Sequence, residues 1–164
     1  MNLRKVMLLH GLFCLFSSMI KSFAKTGVVI AFILGSQTST AQLITGKWVT
    51  IDDETNEPKS VVEIFEKEGQ FFGKITKLFR KPGEDPDPVC EECPADDERY
   101  KKKVLGMEII RNMIPDEDEY SGGSILDPKV GRIYRCRLWL EDNNLKVRGY
   151  WGPFYRTQTW HRSP

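Results

Sequence analysis

Residues 132–151 alternate with a period of two. In 132–140, Tyr134, Cys136, Leu138 and Leu140 fall on one face, and Ile133, Arg135, Arg137 and Trp139 on the other. After the turn residues Glu141, Asp142, Asn143 and Asn144 the pattern resumes. Leu145, Val147, Gly149 and Trp151 then stand opposite Lys146, Arg148 and Tyr150. Side chains return to the same side every second residue only in an extended strand. The segment therefore predicts a two-stranded antiparallel hairpin, with one face on a core.

The rest of the chain from residue 44 reads in the same way. Strands are predicted over 44–51, 61–67, 71–79, 120–126 and 157–162, with Gly73 marking a bend or bulge. Residues 105–114 fit strand or helix by pattern, and Pro115 with the acidic run after it is expected to end them. Turn chemistry separates the segments: Glu68-Gly69-Gln70, Asp127-Pro128-Lys129-Val130-Gly131 and Gly152-Pro153. The total is about eight short strands joined by local turns. Such meanders remove their exposed edges by closing into a barrel, or protect them by packing as a sandwich. The exception is residues 80–103, a long irregular stretch with Pro82, Pro86, Pro88 and Pro94 around Cys90 and Cys93. A loop of this length in a small domain is functional or locally stapled.

The first acidic residue is Asp52. Residues 1–41 carry only the cations Arg4, Lys5, Lys21 and Lys25, with apolar stretches between. From Met19 the order is a cationic region with Lys21 and Lys25, an apolar core over 27–34, and small residues Ser39 and Ala41. That is the layout of a secretory signal cleaved after Ala41. The apolar core is shorter than the roughly 20 residues of a membrane span. A rival reading makes 6–20 an N-terminal anchor, although His10 interrupts it. On the signal reading, 1–41 is an export segment and 42–164 is one domain with one core, periplasmic or extracellular.

All 23 acids and 20 of the 24 bases then lie in 42–164, a formal charge of −3. No basic face for nucleic acid is apparent, and Lys101-Lys102-Lys103 reads as a solvated loop. With the signal removed, no stable membrane span is expected.

Two places resemble a known family. Gly46-Lys47-Trp48 opens the first strand as the Gly-x-Trp signature opens lipocalins. The run from Gly122-Gly123 through Asp127-Pro128 and Gly131 to Tyr134 resembles the corresponding segment of domain-of-unknown-function family 2147. Residues 145–150, 156–162 and Leu105-Gly106-Met107 are similar to further parts of that family. The resemblance implies a small exported bacterial protein with an all-β fold: a lipocalin-like (calycin) antiparallel up-and-down barrel of about eight strands. By fold analogy alone it implies binding of a small apolar ligand.

Cys90-Glu91-Glu92-Cys93 admits three readings. Redox catalysis needs a depressed thiol pKa, and the intervening glutamates oppose it. A zinc site needs four ligands, for which only Cys90, Cys93, Cys136 and His161 are on offer. The favoured reading is a structural Cys90–Cys93 disulfide pinning the loop in an oxidising compartment, with Cys136 a buried inert thiol. The run Asp116-Glu117-Asp118-Glu119 lacks the ligand spacing of a calcium loop. No nucleophile elbow or phosphate cradle occurs. The chain is therefore read as non-enzymatic, with no catalytic residue, metal or cofactor.

The leading function is binding of a small hydrophobic ligand inside the barrel, with Tyr134, Trp139 and Tyr150 as candidate ligand residues. The alternative is a structural or protein-interaction domain of the envelope, with the barrel filled by side chains. Closure of the barrel is expected to place Arg162, or failing that Arg156, over Trp48 beside Gly46. Those four are read as structural residues of the closure.

Overall fold

Each alternating segment is a strand in the computed structural model, which describes residues 44–164. The export segment assigned to 1–41, with its cleavage point, lies outside the described residues. The strands are β1 (Gly46–Ile51), β2 (Pro58–Lys67), β3 (Gln70–Leu78), β4 (Glu108–Asp116), β5 (Glu119–Ser121), β6 (Ser124–Asp127), β7 (Arg132–Glu141), β8 (Asn144–Trp151) and β9 (Phe154–Arg162). Among the described residues there is no helix.

All the pairings are antiparallel and follow chain order, and β1 pairs with β9 to close the ring. The short strands β5 and β6 both pair with β4 on one side and β7 on the other. They are two halves of one stave, so the nine strands make an eight-position, lipocalin-like up-and-down barrel.

The break between β5 and β6 has a steric cause. Against β4 the register runs on through the break, from Ile114↔Ser121 to Arg111↔Ser124. Against β7 it slips by one residue, from Tyr120↔Leu138 to Ser124↔Arg135. Gly122-Gly123 absorbs the slip. A Cβ on Gly123 would overlap the Arg111 carbonyl oxygen and stand 2.8 Å from the Met113 amide nitrogen. The Gly123 carbonyl still accepts a 3.0 Å bond from the Cys136 N–H.

Several expected limits move; β2, for one, begins at Pro58 and not at 61. The fourth strand begins at Glu108 and runs through Pro115 to Asp116, because Pro115 sits in a hairpin tip pairing with Tyr120. The last strand starts at Phe154, three residues earlier than its β-branched residues suggest.

The barrel interior is uneven. Toward the start of β1 and the end of β9, large side chains fill it. Trp48, Ile64, Met113, Leu138, Leu145 and Trp160 are all at most 2 % exposed. Phe71 meets Tyr120 edge to face, with ring centres 4.6 Å apart. Toward the other end the inward positions are small, including Thr50, Ser60 and Gly149. One end is therefore packed to core density, and the other is open.

Candidate functional site

The open half of the barrel is a cavity of about 710 Å³. Trp160 and Val147 lie toward its floor, Ile75, Ile109, Ile125 and Tyr134 along its walls, and Trp151, Phe154 and several charged side chains at its mouth. That volume lies within the usual range for small-molecule sites, about 300–1,000 Å³.

The polar groups of the inner wall are largely used up. The Thr50 and Ser60 hydroxyls are 2.8 Å apart, and the Ser60 N–H donates to Thr50 Oγ1 at 3.1 Å. Along β9, Trp160 Nε1 donates to Gln158 Oε1 at 3.2 Å, and the Gln158 amide donates to the Asp53 carboxylate. Arg156 pairs with the same carboxylate. Polarity is thus relayed out of the floor to an ion pair at the mouth. Ile75, Ile125 and Val147 supply apolar surface beside these polar groups.

The long loop is fastened across this mouth. Cys90 and Cys93 form a disulfide, and both are buried. The segment between them packs on the β6–β7 turn, with the Glu92 carbonyl occupying the space a Gly131 side chain would need. Cys90 Sγ touches the Pro128 carbonyl oxygen at 3.5 Å, a packing contact because a disulfide sulfur carries no proton. Backbone bonds Cys90 N–H to Lys102 O (2.8 Å), Lys101 N–H to Cys90 O (2.9 Å) and Val104 N–H to Pro88 O (2.8 Å) tie the loop to itself.

Arg99 anchors the loop to the barrel. It is 5 % exposed, pairs with Asp97 at 2.6 Å and donates to the Glu108 carbonyl at 3.1 Å. The Arg99 guanidinium holds the Asp97 carboxyl down at about 2, below its ordinary 3.8. A depressed carboxylate stabilises the fold above its unfolded pKa and loses that contribution as pH falls. The anchor therefore holds through neutral and mildly acidic solution, and weakens only from about pH 4 down toward 2.

Replacing both Cys90 and Cys93 with serine is expected to loosen residues 80–103 while leaving the barrel folded. A loop this short restrains the unfolded chain little, so the global cost is about 2 kcal/mol at most. Amide hydrogen exchange checks it. Protection should drop at Lys101 and Val104 and persist in β7 and β8. Uniform loss across the barrel would show the disulfide to be part of the global fold.

The opposite end is sealed. Trp48 is fully buried, and its Nε1 donates to the Ile44 carbonyl at 2.8 Å. Arg162 faces Trp48 across the β1–β9 pair, its guanidinium carbon 4.5 Å from the indole centre. Gly46 has φ +123°, where a side chain is strained, and a Cβ there would lie 3.2 Å from Arg162 Nη1. The Gly-x-Trp spacing thus leaves room for the arginine that covers the ring. Arg156 sits at the other end of β9, paired with Asp53 and away from Trp48.

Of the three candidate ligand residues, the structure places only Tyr134 on the cavity wall. Trp139 and Tyr150 are corrected to the outer face. Arg148 stacks on Trp139 at 4.8 Å and on Tyr155 at 4.6 Å, and Tyr150 lies 6.0 Å from Tyr155. Strand alternation is the reason: Trp139 is an odd number of residues from Tyr134, and Tyr150 from Gly149, which line the cavity. Parity could also have found Arg132 and Gly149, which share the inward face with Tyr134. Nothing local in the sequence announced the Asp53–Gln158 bond, which spans 105 residues.

The remaining chemical candidates are scattered. Cys136 is buried, and burial pushes its thiol up to about 12. His161 Nδ1 and Asn144 Oδ1 are 2.8 Å apart on the outer face. In the acidic turn, Asp116 accepts from Ser121 Oγ at 2.8 Å, and Glu119 pairs with Arg137 at 3.1 Å. Among the described residues, no group of three or more His, Cys, Asp or Glu side chains is placed to hold a metal ion.

Comparison with known proteins agrees with this architecture. One solved structure, "Protein HP1028 from the human pathogen Helicobacter pylori belongs to the lipocalin family", superposes with a TM-score of 0.62. It is 21 % identical, over 74 % of this chain and 84 % of that one. At that identity the likeness shows the fold alone. No curated protein sequence matches the chain. A family model described as "Uncharacterized protein conserved in bacteria (DUF2147)" matches residues 46–162, nearly the whole barrel from Gly46 to Arg162. The chain belongs to that bacterial family.

Proposed function

We propose that this protein binds a small, largely apolar molecule in the open half of its barrel, without catalysing a reaction. The observation that carries the reading is the cavity itself: about 710 Å³, opening at one end, with apolar side chains such as Ile75, Ile125 and Val147 in its wall and charged ones at its mouth. A barrel of eight positions can be filled by its own side chains or hold one small ligand. Small inward residues at Thr50, Ser60 and Gly149 favour the second outcome over an interaction domain with a filled barrel. The lipocalin assignment of the Helicobacter pylori protein is consistent with it. Against catalysis stand the satisfied polar wall and the scattered positions of Cys136, His161 and the acidic turn.

The work place of the protein is proposed to be outside the cytoplasm, as a periplasmic or extracellular binder. The layout of residues 19–41 and the Cys90–Cys93 disulfide both support this. Among the described residues no helix is long and apolar enough to cross a membrane. N-terminal sequencing of protein recovered from its bacterial host is expected to begin at Gln42; intact residues upstream of Lys25 would sink the export reading.

Native mass spectrometry of the same material tests the binding reading. A retained small molecule lost on unfolding is the expected result. A bare mass, together with no binding of any apolar probe, would favour the interaction reading.

A further inference from the structure

The cavity has a charge asymmetry between floor and mouth. Along the inner wall the Thr50 and Ser60 hydroxyls bond each other and the Trp160 indole bonds the Gln158 amide, so a polar ligand group placed beside them would gain few partners. A buried polar group without a partner costs about 1–3 kcal/mol. Any polar part of a ligand is therefore driven to the mouth.

At the mouth, the acids are mostly committed. Asp53 takes Arg156 and Gln158, Asp127 accepts the Lys129 N–H at 3.0 Å, and Asp85 accepts the Asp87 N–H at 2.9 Å. Glu91 and Glu92 lie on the disulfide-pinned loop and are exposed. Of the cations lining the mouth, Lys59, Lys129 and Arg132 have no ion pair with a carboxylate of the described residues, and of the three Arg132 is the one stacked on an aromatic ring. It stands on the first residue of β7, on the inward face shared with Tyr134, and lines the mouth. Among the described residues no carboxylate pairs with it; its guanidinium lies over the Trp151 ring, 4.7 Å from the ring centre. A stacked guanidinium keeps its N–H edge free for two parallel bonds to a carboxylate or phosphate. Trp151 is itself 58 % exposed and lines the same mouth.

We infer that the ligand is an amphiphile with an anionic head, carboxylate or phosphate, held at the barrel mouth by Arg132 on its Trp151 platform, its hydrocarbon tail filling the cavity. This rests on the binding reading above and adds the head group and its orientation. Arg132 is held by a strand and an aromatic face before the ligand arrives, so little ordering cost is added on binding.

The test measures binding of matched single-chain probes to the full domain below their micelle concentrations. Oleate, oleyl alcohol, oleylamine and an oleoyl lysophosphatidate share one tail and differ in the head. Oleate or the lysophosphatidate is expected to bind about tenfold or more tighter than the alcohol, as a charge-assisted bond implies. The amine should bind no better than the alcohol. The tighter of the two anions names the head group. Arg132→Gln should erase the preference for anions while sparing alcohol binding. Arg137→Gln, which removes the same charge from the outer face, should leave the preference intact. Equal binding of acid and alcohol by the wild-type protein would overturn the head-group inference and leave the cavity reading standing. A preference that survives Arg132→Gln would overturn the role of Arg132. Failure of all four probes to bind would overturn both readings.

Discussion

Replacing Trp48 with alanine is expected to cost about 3–5 kcal/mol of folding stability, the range for removing a large aromatic side chain from a core. Three separate observations converge on this residue. It is fully buried, its indole N–H is bonded to Ile44, and Arg162 covers its ring across the strand pair that closes the barrel. Burial dominates; the arginine contact adds about 0.5–1 kcal/mol at an exposed site. Arg162→Ala should therefore cost a small fraction of the Trp48→Ala effect. Urea unfolding of the two variants checks the ratio. Equal losses would show that the cation, and not the buried indole, dominates the seal. The loss should fall at the closed end and leave the cavity lining intact, so residual binding by folded Trp48→Ala protein is expected.

Gly123→Ala is expected to be the most damaging single-methyl change in the barrel wall. The new Cβ overlaps the Arg111 carbonyl oxygen and stands 2.8 Å from the Met113 nitrogen, both main-chain atoms of β4. A flexible side chain could move aside, but backbone in a paired strand cannot without breaking its ladder. Overpacking of this kind costs about 1–3 kcal/mol and at times more. Strands β4, β5 and β7 should lose hydrogen-exchange protection first, because the slip in register is absorbed at this point. By contrast, Gly69→Ala, whose Cβ would meet nothing within 4 Å, should cost only the strain of its positive φ. If the two variants unfold at the same denaturant concentration, steric closure at Gly123 is not what holds this stave.

Both cases show where sequence reasoning was sufficient. The Gly122-Gly123 pair is visible in the chain, and so is the Gly-x-Trp spacing. Their physical reasons, an overlap with β4 and a seat for Arg162, exist only once distant strands lie side by side. The cysteine pair was legible because its loop is short and its partners are three residues apart. The loop's seat on Gly131 was not, because nothing within residues 80–103 points to the β6–β7 turn.

Trp139 and Tyr150 show the opposite failure. Residue type suggested ligand contact, whereas the alternation already visible in β7 and β8 puts both on the outside with Arg135 and Arg148. Position within the period outweighed chemistry, because a strand can offer only every second side chain to the barrel interior.

By itself the sequence determined the all-β class, the strand meander and its inward face. These follow from local periodicity and turn residues, which act between neighbours in the chain. Only the tertiary structure decided that one end is plugged and the other hollow. That outcome depends on the summed volumes of inward side chains from every stave at one level, Trp48 with Trp160 and Leu138 at the floor, Thr50 with Ser60 and Gly149 above. Volume in a shared interior is a property of the closed ring, and no single strand carries it.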